Sequence, residues 1–250
     1  MHSSPSNPVV ADQDPRRARP TFLLALTLLV AAMLGTGCAC CRPAGSGAVV
    51  LFPQNGIPSG WVVRAWNDVR NPPPQPITWR VENGVLVGGE PRNSWLMSER
   101  VYTNFHLSFE FKLGERGNSG CALRAPMAGD PAFDGMELQM ADFRYNPQAK
   151  DSELTGGLYR AVAPVRQVYR PTEWNHYVID LKGDHLKVVL NGVTIQDLDL
   201  ARQDQEVKRH DGTSAPPIKD RPRYGHIGFQ ELSRDGGRVQ IRDARLQEWR

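Results

Sequence analysis

From Phe105 to Leu113 the chain alternates strictly: Phe105, Leu107, Phe109, Phe111 and Leu113 are apolar, and His106, Ser108, Glu110 and Lys112 between them are not. Successive side chains of an extended chain point to opposite faces, so this spacing predicts a strand with one wholly apolar face. Asn175, Tyr177, Ile179 and Leu181 form a similar stripe. A turn at Gly183-Asp184 then leads into His185–Leu190, and Asn191-Gly192 turns that run into Val193–Leu198. Asn-Gly between apolar runs is the strongest short hairpin signal, and Asn83-Gly84 repeats it between Thr78–Glu82 and Val85–Val87. Gly225–Gln230 and Arg238–Trp249 also alternate, and no long stretch carries a 3.6-residue period. Many short strands with regular turns predict an all-β sandwich of two antiparallel sheets. Two segments break the pattern. Phe143 to Leu154 reads as a polar loop. Residues 201–222, charged and containing Pro216-Pro217, read as a solvated, partly mobile surface insertion, with a lid over a site as the alternative.

The N-terminal region belongs to another class. Arg16, Arg17 and Arg19 precede an unbroken apolar run from Phe22 to Leu34, too short to span a bilayer comfortably. A basic segment followed by a short apolar one reads as a secretory signal, here residues 1–37. Gly35-Thr36-Gly37-Cys38 resembles a bacterial lipobox, although Leu34 lies one position further from the cysteine than usual. It implies lipidation at Cys38, a tether over 38–48 and a folded domain over 49–250 in the bacterial cell envelope or periplasm. An uncleaved membrane anchor would give the same compartment.

Charge and cysteine use narrow the function classes. The formal net charge is +3 with 23% charged residues, and no basic block follows residue 42, so nucleic acid is excluded as a partner. Cys121 is the single cysteine of the folded part and reads as a buried core residue. No phosphate-binding loop, Gly-x-Ser-x-Gly elbow or His-Glu-x-x-His helix occurs. His106, His176 and His226 sit in different predicted strands, without metal-ligand spacing.

The chemistry concentrates in Gly135-Met-Glu-Leu-Gln-Met-Ala-Asp142. As a strand it sends Met136, Leu138 and Met140 to the core and Glu137 and Gln139 to the other face. A bulge after Gln139 would return Asp142 to that polar face. Upstream, Cys121 and Leu123 face the core, so Ala122 and Arg124 would face away from it, with Arg124 across from Glu137. Paired carboxylates beside a guanidinium suit proton transfer; a plain cross-strand Arg–Glu pair is the structural alternative. Thr155-Gly156-Gly157-Leu158-Tyr159 reads as a strand with a close backbone approach, and Tyr159 could stack on a sugar. Trp61, Trp79 and Trp95 are candidate sugar platforms that also fit a core. His226 and Gly228 share one face of their strand.

Taken in order, these segments resemble the bacterial 3-keto-disaccharide hydrolase family, long known as a domain of unknown function. The residues that carry the likeness are Gly60-Trp61, Trp79 with Asn83-Gly84, Gly117-Asn118-Ser119-Gly120 with Arg124, Glu137-x-Gln139-x-x-Asp142, Gly156 to Tyr159, Glu173-Trp174-Asn175 and Gly225-x-Ile227-Gly228-x-Gln230. The resemblance implies a concanavalin-A-like jelly roll, a carbohydrate substrate, and cleavage of the glycosidic bond of 3-keto-glycosides by C2 proton abstraction, elimination and hydration. For that chemistry Glu137 or Asp142 would be the general base and the other the acid to the leaving oxygen, with Arg124, Gln139 and Asn118 on the enolate. Tyr159, His226 and Gln230 join the substrate-binding set. A divalent cation shared by the carboxylates and His226 is a possible cofactor. Relatives often carry His-Gly after the last Gln, where this chain has Glu231-Leu232. A non-catalytic carbohydrate-binding module, or a structural envelope domain, remains the alternative.

Overall fold

The computed structural model describes residues 47–249; the signal region, Cys38 and most of the tether lie outside them. In chain order the strands are β1 (Val49–Val50), β2 (Trp61–Ala65), β3 (Thr78–Glu82), β4 (Val85–Glu90), β5 (Ser94–Ser98), β6 (Phe105–Lys112), β7 (Asn118–Ala125), β8 (Met136–Ala141), β9 (Asn175–Lys182), β10 (His185–Leu190), β11 (Val193–Asp199), β12 (Val207–Lys208), β13 (Ser214–Ala215), β14 (His226–Glu231) and β15 (Gln240–Glu248). One short helix, α1 (Pro131–Asp134), precedes β8. An eight-stranded antiparallel sheet runs β11-β10-β9-β6-β15-β4-β3, with β1 added beside β15; a five-stranded sheet runs β2-β5-β14-β7-β8. The fold is the predicted jelly-roll sandwich of two antiparallel sheets.

Period-2 patterning decides what lies between the sheets. β6 buries Phe105, Leu107, Phe109 and Phe111 completely and leaves the residues between them half-buried. From the facing sheet come Cys121, Leu123, Met136, Leu138, Met140, Ile227 and Phe229. Phe109 meets Phe229 edge-on at 5.3 Å, and Phe111 stacks on Tyr177 at 4.9 Å. Each such ring contributes about 1.5–3 kcal/mol by leaving water. Both Asn-Gly turns have two left-handed residues, with φ of 51° and 77° at Asn83-Gly84 and 51° and 82° at Asn191-Gly192. That backbone matches the twist of the strands they join.

One expectation changes and one is refined. Thr155–Tyr159 is not a strand; it runs along the outer edge of β8. Gly156 N–H donates to Gln139 O, Gln139 N–H to Gly157 O and Tyr159 N–H to Glu137 O. It thereby covers an edge that would otherwise present unpaired backbone groups. The 201–222 insertion is largely exposed, as its composition suggests, but it is anchored to the domain at several points. Val207, Ala215 and Ile218 are buried, and Arg221 donates to the carbonyls of Ala132, Gly135 and Pro216 at 2.9–3.1 Å. Arg209 pairs with Asp134 of α1 at 2.6 Å. The apolar anchors are too few and too scattered among charges to show in a hydropathy pattern.

Candidate active site

The face of the five-stranded sheet turned away from the core carries the site. β7 and β8 pair without interruption from Asn118↔Ala141 to Leu123↔Met136, which sets Glu137, Gln139 and Asn118 on that face. Glu137 is 2% exposed, and its Oε1 has no hydrogen-bond partner. Burial, reinforced by the nearby Asp130 charge, pushes its carboxyl well above the usual carboxylate range. Its side chain lies over Gly120, where any Cβ would overlap Oε1. Asn118 is likewise buried with Oδ1 unpartnered. Gln139 accepts the Met140 N–H on Oε1 at 2.9 Å, which leaves its NH2 end free. Gln230 stands on the same face of β14, opposite Trp95.

These residues line a cleft of two lobes, each of about 200 Å³, that share Asn118, Gln139, Tyr145, Tyr159 and His210. Together the lobes fall within the range of small-molecule sites, about 300–1,000 Å³. The insertion supplies one wall: His210 packs against Phe133 at 5.3 Å, Tyr159 at 5.8 Å and Trp66 at 6.2 Å. Desolvation against these rings, with the Arg160 charge, pulls its imidazole below the ordinary value. Asp130, the cap of α1, faces Glu137; burial raises its carboxyl to about 7 despite the bond it accepts from Ala132 N–H. Through His210 the insertion borders the cleft.

Three expected site residues are not where the spacing put them. Arg124 leaves the cleft at a bulge between β7 and β14, where His226 pairs with Ala125 but Gly228 pairs with Ala122. Its own backbone is left-handed, at φ 51°. The guanidinium runs the other way and donates to Thr103 O at 2.7 Å, Gly183 O at 2.8 Å and Asn104 Oδ1 at 3.2 Å. The bulge anticipated in β8 thus lies in β7, and without one in β8 Asp142 falls past the strand end. There its carboxylate accepts from Arg144 Nε at 2.7 Å, Arg144 Nη2 at 2.8 Å and Tyr169 Oη at 3.1 Å. Burial raises this group, but the Arg144 and Tyr169 bonds outweigh it and hold it below the usual range. Asp142 edges one lobe as a fixed anion and is poorly placed to donate a proton. His226 gives Nδ1 to the Ser98 carbonyl at 2.7 Å and does not line the cleft. Glu137, Asp142 and His226 therefore do not converge, and among the described residues no group of three His, Cys, Asp or Glu could hold a cation. Trp79 is core, and Trp61 packs between Phe52 and Phe229.

Residues 47–247 match the family described as the 3-keto-alpha-glucoside-1,2-lyase-like domain. The chain belongs to this family. A candidate glycosyl hydrolase from Parabacteroides distasonis is 28% identical, with a TM-score of 0.60 over 68% of this chain and 90% of its own. A second from the same organism is 24% identical, with a TM-score of 0.62 over 82% and 95%. No curated protein matches. Membership of this lyase-like family gives the domain a glycoside-related function.

Within this lyase-like domain, Asp130, Tyr145, His210 and Trp66 are cleft residues that the sequence pattern did not mark. Asp130 alone had a signal, since Asp-Pro opens a helix. Gly120 is the other half of the Glu137 arrangement. Gly120→Ala is expected to preserve the fold, because the clash is with the Glu137 side chain alone and not with backbone. It should nevertheless lower turnover on the substrate proposed below by about 10²-fold, the cost of misplacing a reacting group. Melting curves and kcat measured on the same preparation check this.

Proposed function

We propose that this protein cleaves the glycosidic bond of 3-keto-glycosides by elimination across C1 and C2, with hydration completing a net hydrolysis. One observation carries the reading: Glu137 and Asn118 are buried, each with an unpartnered oxygen, in one polar cleft. Buried polar atoms normally have partners, so a site built with these two vacant fits a ligand rich in hydroxyls. The family's lyase-like description supports the choice of reaction.

The chemistry follows from the ketone. A C3 carbonyl acidifies the C2–H bond. A base on the cleft wall takes that proton, and the electron pair forms the C2–C3 enolate. When the C3 carbonyl re-forms, the C1–O bond breaks and the leaving oxygen needs a proton. Glu137, kept protonated by burial, is the acid that supplies it. The Asn118, Gln139 and Gln230 amides hold hydroxyls and the enolate oxygen, and Tyr159 and Trp66 flank the ring. Arg124 and Asp142 drop out of this assignment. Export, and lipid anchoring through Cys38, belong to the same proposal.

The test compares a chromogenic 3-keto-glucoside with the matching unoxidised glucoside, with and without chelator. Aglycone release from the keto substrate alone is the expected result. Release from neither, with glycan binding retained, would replace this reading with a carbohydrate-binding module.

A further inference from the structure

Resting on that reading, we propose that Tyr145 is the base that takes the C2 proton, acting across the cleft from Glu137. Tyr145 lines both lobes, and Glu137 lines one of them. Its backbone is set by Asp142, whose carbonyl accepts the Tyr145 N–H at 2.9 Å while Arg144 and Tyr169 clamp the carboxylate. Arg92 Nη2 donates to the phenol oxygen at 3.0 Å, and the Arg234 guanidinium lies 4.4 Å from the ring centre. Burial alone would raise this phenol. The Asn118 amide, the Arg92 bond and the charges of Arg92 and Arg234 outweigh it and hold the group below the ordinary tyrosine value. Tyr159, across the same cleft, moves the opposite way: burial and Glu137 push its phenol up. One tyrosine of the cleft is thus built to lose its proton and the other to keep it.

The remaining groups facing the cleft are weaker bases or already engaged. Asp130 caps α1 through Oδ1, and His210 is held among three rings with a depressed imidazole. A phenolate is more basic than either, and the two arginines raise its population; effective base catalysis needs both. Glu137 and Tyr145 then form an acid–base pair whose environments move their proton affinities toward each other.

The proton balance closes over one cycle. The C2–H bond breaks and its proton moves to the Tyr145 oxygen. The C1–O bond breaks and the leaving oxygen takes the Glu137 proton. This leaves a neutral phenol and a carboxylate. When water adds at C1, Glu137 recovers a proton from the water, and C2 takes one back from Tyr145.

The test follows deuterium entry at C2 of a 3-keto-glucoside in D2O, beside aglycone release. Tyr145→Phe is expected to lower enzyme-driven exchange and release together by about 10²–10⁴-fold, the range for one general base. Glu137→Gln should retain exchange while release falls. Arg234→Met should move the limb of the kcat/KM profile that Tyr145 sets to higher pH, because the phenolate loses a neighbouring positive charge; this second variant carries the test if Tyr145→Phe does not fold. Wild-type exchange in Tyr145→Phe, or an unmoved limb in Arg234→Met, overturns the assignment of the base while the reaction class stands. A wild-type protein inert toward the keto substrate overturns both.

Discussion

Glu137→Gln is expected to lower release from a 3-keto-glucoside by about 10³-fold and, at the same time, to make the protein more stable above neutral pH. The rate falls because the amide cannot protonate the leaving oxygen. Stability rises because the native state must otherwise keep a carboxyl at 2% exposure with one oxygen unpartnered. The pH dependence has a definite sign. Burial raises the folded-state pKa of Glu137 above 4.5 and that of Asp130 from 3.8 to about 7. Between the unfolded and folded values the native state binds more protons than the unfolded chain. Both groups therefore favour folding fully below about pH 4, and their contribution is lost as pH rises toward and beyond the folded values. Asp142 acts in reverse: its lowered value favours folding above 3.8 and is lost as pH falls. Melting temperature of the wild type should thus decline from pH 5 to 8, and Glu137→Gln should flatten that decline by several degrees, at roughly 2–4 °C per kcal/mol for a domain of this size. An unchanged rate would remove Glu137 as the acid. An unchanged slope would mean that its carboxyl is solvated.

How much of this was legible in the sequence differs between fold and site. The sandwich followed from Phe105–Leu113 and the Asn-Gly turns because a two-residue period and left-handed turn residues are local rules. Glu137 and Gln139 were placed correctly for the same reason, since β8 runs without irregularity. Arg124 was misplaced because one bulge reverses the side of every residue beyond it, and a bulge has no compulsory residue. Tyr145 and His210 were invisible for another reason. Each lies in a polar segment without periodicity, and only the fold brings it beside Glu137. The charges that tune Tyr145, Arg92 and Arg234, stand 53 and 89 residues from it in sequence.

Arg124→Met should do the opposite of Glu137→Gln: it should damage the fold and spare the chemistry. Arg124 is fully buried, and its guanidinium ties β7 to two segments of the other sheet's edge, the chain before β6 and the β9–β10 turn. Burial lowers its pKa to about 10, with Arg223 adding to the shift and Asp184 opposing it. At that value it stays charged at neutral pH. Methionine restores much of the volume but leaves the Thr103 and Gly183 carbonyls without their donor. Hydrogen bonds from a charged donor contribute about 1.5–3 kcal/mol each, so losing these lowers the melting temperature of a domain this size by roughly 10 °C. Turnover per folded molecule, measured well below the transition, should stay within about 2-fold of wild type, since no Arg124 atom lines the cleft. The opposite outcome, a normal melting temperature with turnover as low as in Glu137→Gln, would mean that the guanidinium reaches the substrate. The cleft would then have to rearrange around Arg124 when a sugar binds.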